Sequence, residues 1–234
     1  MKLKTTAFLV IIICTNLNLL FSQKIANKQF SLISYDLKIS DEFRDEISDL
    51  DSYINSIKVY NEQKNDKLKS VFIHVLYFTV KDELEKKLKI DILPANTFLN
   101  KVKYDDFGYP LSNMREAMRK GDSPYYIKLN VNIESLTQKQ KSINPEMFDN
   151  ISFTPITPQI TIEIDIYSKE GIIPLDHWVG VSSSSNPLPI NEYLLKGFDN
   201  KEMIINTAEE KPQDNMYIIL MRSIDNAIQD YYTK

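Results

Sequence analysis

Two segments of the chain alternate strictly between apolar and polar residues, and this alternation restricts the fold more than any other feature. In YYIKLNVNIE, residues 125–134, Ile127, Leu129, Val131 and Ile133 fall on one side, Lys128, Asn130, Asn132 and Glu134 on the other. Ile160, Ile162, Ile164 and Ile166 repeat the pattern against Thr161, Glu163, Asp165 and Tyr167. A period of two belongs to a β-strand, whose successive side chains point to opposite faces. Strands apolar on one face only belong to a sheet covered on one side, and the cover must come from helices.

The helices are legible at a period near 3.6. Met216, Leu220, Ile224, Ala227, Ile228 and Tyr231 make an apolar stripe from Asp214 to the C-terminus. Phe43, Ile47, Leu50, Ile54 and Ile57 do the same over Asp41–Tyr60, with acids at its start. Residues 68–80 are ambiguous: VFIHVLYFTV has the β-branched and aromatic content of a strand. The KDELEKKL continuation and the spacing of Leu68, Val71, Leu76, Val80, Leu84 and Leu88 favour one long helix over 68–88. Asn113 with Glu116 predicts a capping box at a helix start, and Gly121 a left-handed stop at its end. Shorter strands are expected at Gln29–Asp36, Lys89–Leu93 and His177–Ser183. The sum is a two-layer α+β domain over 23–234, a mixed or antiparallel sheet with helices covering one face. Long connections at 135–158 and 184–212 are unusual unless functional or mobile.

Ahead of this domain, Met1-Lys2-Leu3-Lys4 leads into an uncharged run from Thr5 to Phe21 that closes at Ser22-Gln23. A positive start, an apolar heart and a small residue at the end predict a signal peptide over 1–22 and an exported product. Thr15, Asn16 and Asn18 break the run, leaving it shorter than the roughly 20 apolar residues that span a bilayer. The exported product is therefore not expected to be an integral membrane protein. The one cysteine, Cys14, lies inside the run, and lipidation there is the rival reading.

Several chemistries are disfavoured. Residues 23–234 contain no cysteine, which removes disulfides, thiolate metal sites and a cysteine nucleophile. They carry 26 basic and 32 acidic side chains, net −6, so nucleic acid is not an expected partner. The five glycines are never closer than nine residues apart, which excludes a phosphate-cradling loop, and no cofactor is expected. Gly180-Val181-Ser182 lacks the second glycine of a nucleophile elbow.

Titratable residues leave a narrow opening. His177 adjoins Asp176, but neighbours on a strand point apart, so Asp176 cannot orient it; His74 flanks the stripe of the long helix. Two histidines without cysteine make a transition-metal site improbable. Glu163 and Asp165 share a strand face about 7 Å apart, a spacing used by glycosidases but equally that of solvated cross-strand partners. Asp105-Asp106-Phe107-Gly108-Tyr109 reads as a turn rather than a calcium loop. Tyr104, Phe107, Tyr109, Tyr125 and Tyr126 bracket the capped helix and form the candidate ligand- or partner-binding surface.

The order of elements also resembles a known family. FSLISYD, KIDILP, MREAMRKGDSPYYIKLNVNIE, the hairpin ITIEIDIYSKEGI with HWVGVS, and the closing helix are similar to the TolB amino-terminal domain. Outer-membrane lipoproteins of the curli-assembly and transport-auxiliary type look similar. The resemblance spans residues 30–232, with insertions at 40–65 and 135–158, and in the hairpin it rests on Ile160–Ser168, Gly171 and Trp178. Ile13 stands where a lipobox has a small residue, a departure from the lipoproteins. The resemblance implies no catalytic residues and a non-enzymatic role through an envelope protein partner in the periplasm or at the outer membrane. A small-ligand or glycan/peptide module is the second expectation, and a hydrolase using Glu163, Asp165 or His177 the third.

Overall fold

The computed structural model describes residues 25–59, 61–63, 65–136, 155–199 and 214–233. Its strands are β1 (Gln29–Ile39), β2 (Asp91–Ile92), β3 (Lys103–Tyr104), β4 (Pro110–Leu111), β5 (Tyr125–Ser135), β6 (Pro158–Ser168) and β7 (Asp176–Ser183). The helices are α1 (Asp41–Glu46), α2 (Asp51–Ser56), α3 (Lys67–Leu88), α4 (Met114–Lys120) and α5 (Met216–Thr233). One sheet runs β3-β4-β1-β5-β6-β7, with β2 beside the start of β1. β1 lies parallel to β5, while β5, β6 and β7 form an antiparallel meander. The chain is α+β, as the alternation and the stripes predict.

The alternating isoleucines seat the sheet on its helices. Ile127, Leu129, Val131, Ile133, Ile160, Ile162, Ile164 and Ile166 are all buried in one core with the inner faces of α3 and α5. Trp178 joins them with its ring 4.9 Å from Tyr231. α5 also closes the β7 edge. Asp230 accepts from Val179 N–H at 2.9 Å, Asn226 donates to Val181 O at 2.7 Å, and Arg222 donates to Ser183 O at 3.2 Å. Edge groups that would otherwise template pairing with another chain are thereby satisfied.

Four expectations need correction. The sheet is not covered on one face only. A second cluster of Ile33, Phe98, Val102, Met114, Ala117 and Tyr126 sits on the other face beneath α4. Its cause is visible at the register pair Tyr126↔Tyr167, where the polar face turns aromatic. On β1, Leu32 faces the main core and its neighbour Ile33 the smaller one, and a register shift between Leu32 and Ser34 returns Tyr35, Leu37 and Ile39 to the main core. Residues 41–60 are not a single helix, because a 3₁₀ turn at Ser48–Leu50 separates α1 from α2. There Ser48 donates to Asp45 O at 2.8 Å, a local bond that competes with helix propagation. Gly121 is not left-handed, with φ −103° and ψ 160°. Glycine is needed there for space, since a Cβ would meet Phe98 Cε1 at 2.6 Å and Ala117 O at 2.9 Å. Asn113 does cap α4 by accepting from Glu116 N–H at 3.0 Å, but the Glu116 carboxylate takes Lys120 instead of closing the box.

The ambiguous stretch is helical throughout. α3 runs 22 residues, about 33 Å, and Val71, Phe72 and Ile73 are all buried. Consecutive buried residues arise because α3 is covered by more than the sheet: Phe72 also meets Phe43 and Phe198, with centroids 6.5 and 4.7 Å away. The helix starts at Asp66, which accepts from Lys69 N–H at 2.9 Å and is gripped by both Arg44 NH groups at 3.0 Å. Asp66→Ala removes cap and fork together, and denaturant titration should show a loss of about 1–2 kcal/mol.

Candidate functional site

The five aromatics of the sequence reading do not converge on one surface. Tyr126 is buried in the smaller cluster, with its hydroxyl 3.3 Å from Ala117 O and its ring stacked 6.3 Å from Phe98. Tyr104 packs beside it, half-buried. Tyr125 lies on the opposite face, 5.4 Å from Phe30 and beneath Lys28. Phe107 and Tyr109 alone face a hollow, and they do so from the loop that carries residues 94–109 across α3.

That hollow holds about 690 Å³ and is walled on the α3 side by His74, Tyr77 and Phe78. Its floor is an aromatic block. Tyr109 meets Tyr35 edge-on at 4.7 Å and Tyr77 at 4.9 Å, and its hydroxyl lies 2.8 Å from His74 Nδ1. Tyr35 donates to Ile73 O at 3.0 Å, so the block is bolted to the helix behind it. The Tyr77 hydroxyl is buried with no hydrogen-bond partner among the described residues. Burial pushes the Tyr77 and Tyr109 phenols well above their ordinary value, so both stay neutral at physiological pH.

Asp105 holds the loop in shape. Its Oδ1 accepts from Phe107 N–H at 3.0 Å and Tyr109 N–H at 2.8 Å, while Gly108 takes φ 89° in the turn. This is an Asx-type turn, the reading preferred over calcium. Burial raises the Asp105 carboxyl above 3.8, against the pull of those N–H groups and Lys69. The folded state thus holds this proton more tightly than the unfolded chain. Its contribution to stability is complete below the ordinary value of 3.8 and is lost as pH rises through the raised folded value. Asp105→Asn keeps the acceptor oxygen and removes the charge. Its stability relative to the parent should therefore improve from acid to neutral pH, as chemical denaturation across that range will show.

Phe78 crowns the site. It is 55% exposed although it sits mid-helix on α3. A second hollow of about 400 Å³ lies on its other flank, with Phe198 and Tyr217 in its wall, and His74 and Phe78 line both. Phe78 is not among the residues that the sequence pattern singles out. The available signal was an aromatic four residues after His74 and outside the Leu76–Val80–Leu84 stripe.

The polar sheet face carries the remaining candidates in cross-strand rows. Ser34, Lys128, Asp165 and His177 form one row, and Asp36, Asn130, Glu163 and Val179 the next. His177 Nδ1 lies 2.7 Å from Asp165 Oδ1, and Lys128 Nζ is 3.9 Å from the other oxygen. The ring is thus oriented from across the strand, while Asp176 accepts the His177 backbone N–H. Ser34, the hydroxyl in that row, is three strand spacings from His177, about 14 Å. Glu163 takes Asn130 at 3.4 Å and opens on a shallow groove of about 590 Å³. These groups spread over an open face. No group of three or more metal-ligating side chains occurs among the described residues. None of the helices described is long and apolar enough to cross a membrane.

The sequence matches no known protein family and no curated protein. Among solved structures, the chain is similar to the hypothetical protein CT253 from Chlamydia trachomatis, at 6% identity over 88% of this chain and 96% of that one, with a TM-score of 0.40. A candidate neuraminyllactose-binding hemagglutinin homolog from Helicobacter pylori is 12% identical over 90% of this chain and 80% of that one, with a TM-score of 0.28. Similarities at this level assign neither a family nor a function.

Proposed function

We propose that this chain is an exported, non-enzymatic protein of the bacterial envelope that binds another envelope protein across the α3 ridge. The observation that carries the reading is Phe78, an exposed aromatic standing between two hollows on a rigid helix. Aromatic anchors beside pockets are where binding energy concentrates, and the buried Tyr35–Tyr77–Tyr109 block preorganises the wall. Export is supported by the run Thr5–Phe21 behind Lys2 and Lys4, and membership among TolB-like or curli-assembly-type domains is part of the same proposal. The open placement of Glu163, Asp165 and His177 supports a role without catalysis. A second reading, a small glycan or peptide ligand in the larger hollow, is favoured by the Tyr77 hydroxyl, which has no partner among the described residues.

Phe78→Lys separates the two. If a protein partner covers the ridge, crosslinked co-purification from envelope fractions should fall by about tenfold or more at an unchanged melting temperature. If the hollow takes a small ligand, the parent should be stabilised by short peptides or sugars while co-purification recovers no defined partner. Equal recovery by parent and variant would count against the ridge.

A further inference from the structure

The second half of α3 pairs its acids with lysines, with one exception. Glu83 takes Lys87 at 3.0 Å and Lys86 at 3.7 Å, and Glu85 takes Lys81 at 2.6 Å. Asp82, between Lys81 and Glu83 in the chain, is exposed and has no ion pair or hydrogen bond among the described residues. It follows Phe78 by four positions, so the two side chains are neighbours on the helix surface, with Cβ atoms about 5–6 Å apart. Among the described residues, Asp82 is also the sole side chain of fixed charge in the wall of the smaller hollow.

That hollow, of about 400 Å³, lies at the lower end of the range for small-ligand sites. Its rings are fixed in advance. Phe198 is held between Phe72, 4.7 Å away, and Tyr217, 6.1 Å away. Gly197, at φ 97°, brings the backbone against the Tyr217 ring, where a Cβ would meet Cγ at 2.9 Å. His74 shares the wall, but its Nδ1 is directed to the Tyr109 hydroxyl, 2.8 Å away in the larger hollow. The larger hollow has the opposite sign. Lys81 stands in its wall, 2.6 Å from Glu85, and no acid lines it among the described residues.

We infer that the smaller hollow binds an organic cation, an alkylammonium or guanidinium group. Aromatic faces carry a negative quadrupole that attracts such groups. Phe78 and Tyr217 supply the faces, and Asp82 supplies the countercharge. An anion would meet an unneutralised carboxylate, and a neutral apolar group would crowd that charge without pairing it. A bare metal ion would find one carboxylate where it needs several oxygens. The same chemistry is offered by a free amine and by the lysine or arginine side chain of a protein lying across the ridge. The second source rests on the ridge reading, whereas the cation site itself does not.

The test uses protein made with its own leader, purified in the form that the cell produces, with isotopically labelled Phe and Tyr rings. Choline and N-acetyl-lysine amide should each shift the Phe78 and Tyr217 ring signals. Their neutral counterparts, the tert-butyl analogue of choline and N-acetyl-norleucine amide, should bind about tenfold or more weakly. Asp82→Asn keeps the shape and removes the charge, and should weaken choline binding by about the same factor at an unchanged melting temperature. Phe78→Leu should weaken choline more than its neutral analogue. A short peptide with lysine between alanines that binds tighter than the capped lysine assigns the cation to a protein; equal or weaker binding assigns it to a free amine. Neutral analogues that bind as well as the amines, an Asp82→Asn variant that binds like the parent, or no ring shift with millimolar amine would overturn the inference. Photocrosslinking from position 78 in the envelope reads the ridge separately, so either can fail without the other.

Discussion

Gly180→Ala is expected to destabilise the protein by about 3 kcal/mol or more, a large effect for a single methyl group. At Gly180 the last helix lies directly on the sheet. A Cβ would come within 1.9 Å of Ser223 O, 2.5 Å of Ala227 N and 2.8 Å of Ala227 Cβ. Two of these three are backbone atoms of α5, so no side chain can swing aside. Relief requires the helix to move outward. That would strain the bonds from Asp230 and Asn226 to the β7 edge and the Ser223 hydroxyl to Ile160 O at 2.9 Å. Denaturant titration should show a large fall in midpoint, and hydrogen exchange should speed up first in β7 and α5. A variant as stable as the parent would mean that α5 does not seat on β7 in this way.

Phe72→Ala is the second large effect, expected at about 3–5 kcal/mol. Its ring is fully buried and joins three segments that are distant in sequence: α1 through Phe43, α3 itself, and residues 192–198 through Phe198. Phe198 packs in turn on Tyr217 of α5, with centroids 6.1 Å apart. The cavity left by alanine would open between these elements without a flexible neighbour to fill it. Phe198 and Tyr217 also wall the smaller hollow beside Phe78. The variant should therefore lose partner recovery as well as stability, whereas Phe78→Lys should lose recovery alone.

The sheet was legible because its pattern is local. The isoleucines of β6 and their counterparts in β5 alternate without interruption, and α5 keeps its stripe over the whole element. α3 was harder because its period is blurred by burial on several sides, which depends on partners far along the chain. The second cluster was missed because Tyr167 reads as polar in an alternating strand and Tyr126 as part of an aromatic binding surface, while their pairing comes only from the register. The aromatic site divided for a related reason. Consecutive residues Tyr125 and Tyr126 must face opposite sides of the sheet, so a surface holding both was never available to a strand. Phe107 and Tyr109 escape that limit because a turn, not a strand, presents them. The Asp165–His177 pair was likewise invisible in sequence, because it forms across strands twelve residues apart.

The most direct test of the binding account is photocrosslinking in the intact envelope, with a photoreactive residue placed in turn at 78, 107 and 181. Positions 78 and 107 flank the larger hollow, and 181 lies on the polar sheet face. The account predicts the same adduct from 78 and 107 and none from 181. An adduct from 181 alone, or none from 78, would contradict it.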